Sequence, residues 1–264
     1  MTRTVRSADG TTIAFDKSGS GAPLVLVHGT SSGRKRWKPI LPALESKFTV
    51  YAIDRRGRGG SGDSADYSLE REIADVGAVI DSIDSEAVNV VAHSFGAICS
   101  LEAVRRSSRV SKLVVYEPPI RFGERRPDAA EEQYLNEQRE RLARNDRVGV
   151  LEAFYIRRSI QPEALAKFRS QPNWPDRVAT AHTLIRENEA VRDYHFDHRA
   201  FRSFNVPTLL ILGGDSVPLH HVAARELQQT LPNSSLVVLD GQQHDAIDTD
   251  AERFTATVLS FLTR

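Results

Sequence analysis

The chain has 264 residues, 40% of them hydrophobic, enough to bury one substantial core. Lysine plus arginine and aspartate plus glutamate each number 35, so no net field draws the protein towards nucleic acid or an anionic membrane, and a small-molecule partner is expected. The single cysteine, Cys99, excludes an internal disulfide and a Cys-x-x-Cys metal pattern; with no signal-peptide-like start and no run approaching about 20 apolar residues, a soluble cytoplasmic protein is expected.

In chain order, the β-prone segments Thr2 to Ser7 and Thr11 to Lys17 flank Asp9-Gly10 and predict an antiparallel hairpin. The runs Pro23 to His28, Phe48 to Ile53, Ala87 to Ala92 and Lys112 to Glu117 are short and almost wholly apolar, as parallel strands buried on both faces should be. Helical stretches are predicted between them, at Lys35 to Lys47, Leu69 to Ser82 and Ser94 to Arg106, giving a mostly parallel, doubly wound α/β sheet. From Pro118 to Asn205 the rhythm stops, and a polar sequence broken by Pro162, Pro172 and Pro175 predicts an inserted helical subdomain. Val206 to Asp215 and Ser234 to Asp240 restore the strand pattern, with helices at His220 to Thr230 and Ala251 to Leu262. The expected core is therefore 1–117 with 206–264, and the insertion is 118–205.

Two stretches carry chemical signals. Gly57-Arg58-Gly59-Gly60-Ser61-Gly62 satisfies G-x-G-x-x-G literally, but a dinucleotide fingerprint opens its helix directly and is followed by an acid at the next strand end. Here polar turn residues delay the helix to Leu69, and Asp81 and Asp84 fall in or after it, so no cofactor is expected. In "VVAHSFGA", Ser94 stands where a buried strand turns into a helix, between small Ala92 and Gly96. Such a turn exposes the hydroxyl, and the helix start offers the Phe95 amide to an oxyanion.

On these motifs the chain resembles the α/β-hydrolase superfamily over nearly its whole length, with Ala-His-Ser-Phe-Gly in place of G-x-S-x-G. The resemblance implies an α/β-hydrolase fold with a cap formed by the insertion. It also implies a triad in the order nucleophile, acid, histidine, which Ser94, Asp215 and His244 follow after successive strands. Glu117 is the alternative acid, since some relatives carry theirs after that strand. His28-Gly29 resembles the oxyanion loop, so the Thr30 amide would join that of Phe95. "DRRGRGGS" resembles the superfamily's D-x-R-G-x-G-x-S loop, in which Asp54 and Arg56 are expected to pair as a brace.

The implied activity is that of a serine hydrolase cleaving a carboxylic ester or related acyl substrate through an acyl-enzyme, with no metal or organic cofactor. Alternatives are a cofactor-free haloperoxidase or perhydrolase, a lactone or C–C bond hydrolase, or a catalytically weak ligand-binding protein. Phe95, Trp37 and Tyr116, with Trp174 from the cap, are candidate pocket walls. Arginine clusters at Arg34 with Arg36, at Arg55 with Arg56 and Arg58, and at Arg121 with Arg125 and Arg126 raise an anionic substrate against a plain solvated surface.

Overall fold

The computed structural model describes residues 2–123, 128–158 and 160–264; Arg125 and Arg126 lie outside them. β1 (Thr2–Arg6) and β2 (Thr12–Gly19) form the expected hairpin around Asp9-Gly10, and β2 continues antiparallel onto β4 (Phe48–Ile53). β3 (Ala22–Val27), β5 (Val88–His93), β6 (Val110–Tyr116), β7 (Thr208–Gly213) and β8 (Ser234–Leu239) add in parallel. The described residues thus make an eight-stranded sheet in the order β1-β2-β4-β3-β5-β6-β7-β8.

The apolar runs work as predicted because successive side chains leave a strand on opposite faces. Val25, Val27, Val90, Ala92, Leu113 and Val115 enter one buried cluster, whereas Leu24, Leu26, Val91, Val114 and Tyr116 enter the other. The first face is covered by α2 (Leu69–Asp81) and α3 (Phe95–Arg105). Ser68 caps α2 by accepting the Arg71 amide, which fits the late helix start inferred from the glycine run.

One predicted helix breaks in two. Lys35 to Lys47 forms a short 3₁₀ turn, Arg34–Trp37, and then α1 (Leu41–Glu45), because Pro39 has no amide to donate and Pro42 fits only the first turn of a new helix.

Between β6 and β7 the described residues contain five helices: α4 (Ala129–Ala143), α5 (Arg147–Arg157), α6 (Pro162–Arg169), α7 (Trp174–Ala179) and α8 (Ala181–Asp193). They hold a small core of their own around Val150, Leu151, Phe154 and Leu184. After β7 come α9 (Pro218–Thr230), then β8, a one-turn α10 (Ala246–Thr249) and α11 (Ala251–Leu262), which covers the second sheet face. Among the described residues, no helix is long and apolar enough to cross a membrane.

The Asp-Arg-Arg-Gly loop is braced differently from expectation. Asp54 takes hydrogen bonds from Arg34 and from the Gly60 amide, while Arg56 pairs with Asp75 and Asp9. The two side chains point to different neighbours, so they do not pair with each other. Arg55 and Arg58 instead reach Glu187 of α8, and Arg55 also grips Glu72 of α2. This buried ion network ties the core loop to the inserted helices. Arg55 and Arg58 hold the Glu187 carboxyl below the usual range against the upward push of burial.

Candidate active site

Ser94 sits at the junction of β5 and α3 with φ 56° and ψ −128°, a strained conformation for a side-chain-bearing residue. The surrounding packing enforces it. A Cβ on Gly96 would lie 2.3 Å from the His28 carbonyl oxygen, and one on Gly29 would lie 2.7 Å from the Ser94 Cβ, so both glycines are required by close approach. Ser94 is thereby held against the loop that follows β3.

That loop is itself fixed by His28. Its Nδ1 donates to the Gly29 carbonyl at 2.8 Å and its Nε2 accepts from the Arg55 amide at 3.2 Å. Burial, then the nearby Arg58 and Arg55 charges, push its imidazole well below the ordinary value, which agrees with a neutral ring that donates at one nitrogen and accepts at the other. Thr30, next along, lines a cavity of about 410 Å³ together with Ser94 and His244. Phe95 opens α3, where the first amides of a helix have no intrahelical acceptor.

The carboxylate at His244 belongs to Glu117 and not to Asp215. Glu117 Oε2 lies 2.6 Å from His244 Nδ1. Its other oxygen, Oε1, accepts from the Gly213 amide at 2.7 Å and from the Ser216 hydroxyl. Glu117 is 2% exposed and has φ 46°, which turns the chain back at the end of β6. Burial pushes its carboxyl up, but the hydrogen bond and charge of His244, with smaller help from His220 and Ser216, leave it below the usual carboxylate range.

Asp215 is exposed, and its contribution is through the backbone: its amide donates to the Gln242 carbonyl and anchors the loop that leads to His244. The expected acid is therefore corrected on geometry.

Two other histidines flank the His244 ring. His220 stacks on it with centroids 4.7 Å apart and planes at 14°, and its Nε2 is 3.9 Å from Glu117 Oε2. His93 packs at 4.5 Å on the ring, and its Nε2 bonds the His244 carbonyl at 3.1 Å. Burial, then the neighbouring His244, pushes His220 down to about 3 and His93 well below its ordinary value, so both are neutral supports near neutral pH. Arg36 grips Asp245 and Asp248 just beyond and pins the loop from the other side. Glu117, His220 and His244 offer ligand atoms within 4.8 Å of one another, so a metal ion bound there would compete with the imidazole–carboxylate pair.

The aromatic candidates are mostly elsewhere. Trp37 and Tyr116 are fully buried in the second sheet-face cluster, because strand alternation and the 3₁₀ turn direct them away from the cavity. Tyr116 keeps an indirect role: its ring stacks on His93, and its hydroxyl accepts the Ala246 amide and donates to the Gln243 carbonyl beside His244. The Phe95 ring is core, beneath the Arg55 guanidinium at 4.6 Å. Trp174 packs beside the small core of the inserted helices, 6.5 Å from the Tyr155 ring, and does not line the cavity. The cavity wall facing Ser94 comes instead from α5 and its neighbours, with Phe154, Tyr155, Arg158 and Arg177. The Tyr155 hydroxyl lies 3.2 Å from Ser31 Oγ and accepts from Arg177 at 2.6 Å, which joins that wall to the loop after β3.

A mostly parallel sheet with a strained serine after its fifth strand and a carboxylate-held histidine after its eighth describes an α/β hydrolase. The family model for the alpha/beta hydrolase family matches residues 24–257, and the chain belongs to that family. It is 36% identical, with a TM-score of 0.85, to an alpha/beta hydrolase from Sphaerobacter thermophilus, covering 98% of this chain and 100% of that one. An esterase from Exiguobacterium antarcticum shares the fold at a TM-score of 0.83 and 22% identity, with both chains fully covered. A putative non-heme chloroperoxidase from Synechocystis sp. is 27% identical, over 95% of this chain and 94% of its own length.

Proposed function

We propose that the protein is a serine hydrolase that cleaves a carboxylic ester, with Ser94 as nucleophile, His244 as general base and acid, and Glu117 as the residue that orients His244. The observation that carries this reading is the 2.6 Å contact between His244 Nδ1 and a buried Glu117, with His244 and the strained Ser94 lining one cavity. A carboxylate on Nδ1 keeps the proton there, leaves Nε2 free to take the serine proton, and stabilises the imidazolium that results.

In the first half-reaction Ser94 Oγ attacks the ester carbonyl and His244 receives its proton. The tetrahedral oxyanion is met by the Thr30 and Phe95 amides, and the proton then passes to the departing alcohol. In the second half-reaction water attacks the acyl-enzyme by the same route, releasing the acid and restoring Ser94. Segment 118–205 acts as the cap over this site, limiting water and shaping the acyl pocket. The core comprises 1–117 and 206–264.

A second reading, attack by hydrogen peroxide on the same acyl-enzyme to give a peracid, draws support from the Synechocystis relative. Both readings are tested by ester hydrolysis, and by peracid formation from peroxide and acetate, in wild type and Ser94→Ala. Fluorophosphonate labelling should be lost with turnover in the mutant. Labelling that persists in Ser94→Ala would remove the serine from the mechanism.

A further inference from the structure

Among the described residues, five arginines but only two carboxylates, Glu131 and Asp245, line the cavity. Most of those cations are already engaged. Arg36 is spent on Asp245 and Asp248, Arg121 on Glu131, and Arg177 on the Tyr155 hydroxyl, while Arg157 lies over the Tyr134 ring at 4.6 Å.

Arg158 is different. It follows the last residue of α5, is partly buried where Arg157 is exposed, and packs its guanidinium 3.6 Å from the Phe154 ring centroid; among the described residues it has neither a carboxylate nor a hydroxyl partner. Burial pushes the guanidinium down to about 10, against smaller upward pulls from Tyr134, Tyr155 and the more distant Glu187, so it keeps its charge at neutral pH with no carboxylate of the described residues in contact. Arg158, His220 and His244 line the same cavity, so cation and proposed base face the same space.

The geometry points to Arg158 as the anchor for a second, non-reacting carboxylate on the substrate, which makes the substrate class half-esters of dicarboxylic acids. This inference rests on the serine-hydrolase reading for which end of the ligand reacts. A planar guanidinium seated on an aromatic face presents a fork of N–H donors that matches one carboxylate bidentately, and a monoanion supplies the single missing charge. The ester carbonyl then lies at Ser94, water is consumed, and the products are the dicarboxylate and the alcohol. A cavity of about 410 Å³ suits a molecule of this size. The arginine that first raised an anionic substrate, Arg121, is not the anchor, because Glu131 already holds it on two hydrogen bonds.

The test compares pH-stat hydrolysis of monomethyl glutarate and monomethyl adipate with the neutral methyl valerate and methyl hexanoate. Wild type should favour the half-esters, and in Arg158→Met the half-ester to neutral-ester ratio of kcat/KM should fall at least tenfold, mainly through KM. Arg158→Lys should keep part of the preference. Arg144→Met, which removes an exposed charge of the same sign, should keep all of it. Equal treatment of both ester classes by wild type, an unchanged ratio in Arg158→Met, or an equal loss in Arg144→Met would overturn the assignment.

Binding is read separately from chemistry in the Ser94→Ala background. Monomethyl adipate should raise the melting temperature of Ser94→Ala above that in sulfate at equal ionic strength, and Arg158→Met added to that background should abolish the rise. Stabilisation without turnover in wild type would sink the hydrolase reading and leave the carboxylate anchor standing. No stabilisation in Ser94→Ala would sink the anchor.

Discussion

Two neighbouring parallel strands, β6 and β7, each deliver a carboxylate to the same edge of the sheet, yet the two carboxylates have opposite fates. Glu117 leaves β6 in a left-handed turn, is buried, and bonds His244, the Gly213 amide and the Ser216 hydroxyl. Asp215, at the end of β7, is exposed, and its segment serves by lending backbone and hydroxyl donors to Glu117 and an anchor to the histidine loop. The comparison teaches that the carboxylate partner of His244 is chosen by where donors converge. The order of residues along the chain does not decide it.

The largest expected effect is common to both readings of the acid: Ser94→Ala should lower kcat by about 10,000-fold or more, measured against the ester that wild type turns over best. Retained turnover would make the choice between the two acids irrelevant.

The next effect divides them. Glu117→Gln keeps the shape but removes the charge that holds His244 in the right tautomer, and kcat should fall about 1,000- to 10,000-fold. Asp215→Asn should stay within about threefold of wild type in the same assay, as expected for an exposed side chain. A reversal of these two results would restore Asp215 as the acid.

The comparison is sharpened by acid titration. His28, His93 and His220 have folded-state values depressed below the ordinary 6.5, His220 to about 3. The unfolded chain therefore binds more protons than the native one as pH falls below about 6.5, and native stability is lost across that window. Glu117, also depressed, adds stability that is present above the usual carboxylate range and is lost only in stronger acid. Melting temperature should therefore begin to fall below about pH 6.5, before carboxylates protonate. Glu117→Gln should leave that upper part of the curve in place, and an onset only near pH 4 would refute the buried neutral histidines.

The smallest effect concerns the elbow itself. Gly96→Ala forces a Cβ against the His28 carbonyl and should cost about 1–3 kcal/mol in denaturant unfolding, with the sheet otherwise intact. A neutral result would mean that the elbow has room to relax.

Much of the architecture was legible because strand alternation is a local property. β4 and α11 run over the ranges their apolar patterns predict, and the other sheet strands differ by a residue or two at their ends. The Ser94 elbow was legible for the same reason, since small residues on both sides of a strand-to-helix junction record a steric demand in one short segment. The 3₁₀ break near Trp37 could have been foreseen from Pro39 and Pro42.

What the sequence by itself determined was the layered sheet, the position of the strained serine and the histidine loop, all written in nearest-neighbour patterns of polarity and size. Only the tertiary structure decided the partners. Glu117 takes the Nδ1 side of His244 because donors at the end of β7 and just beyond it, 96 and 99 residues further on, converge on it. Asp54 and Arg56 part company because Arg34 and Asp75 stand closer. Among the described residues Arg36 and Arg121 find carboxylates and Arg177 a hydroxyl, while the partly buried Arg158 is left on the ring of Phe154. Charges and hydrogen bonds act over a few ångströms in space with no regard for separation in sequence, so their pairing emerges only when the chain has folded.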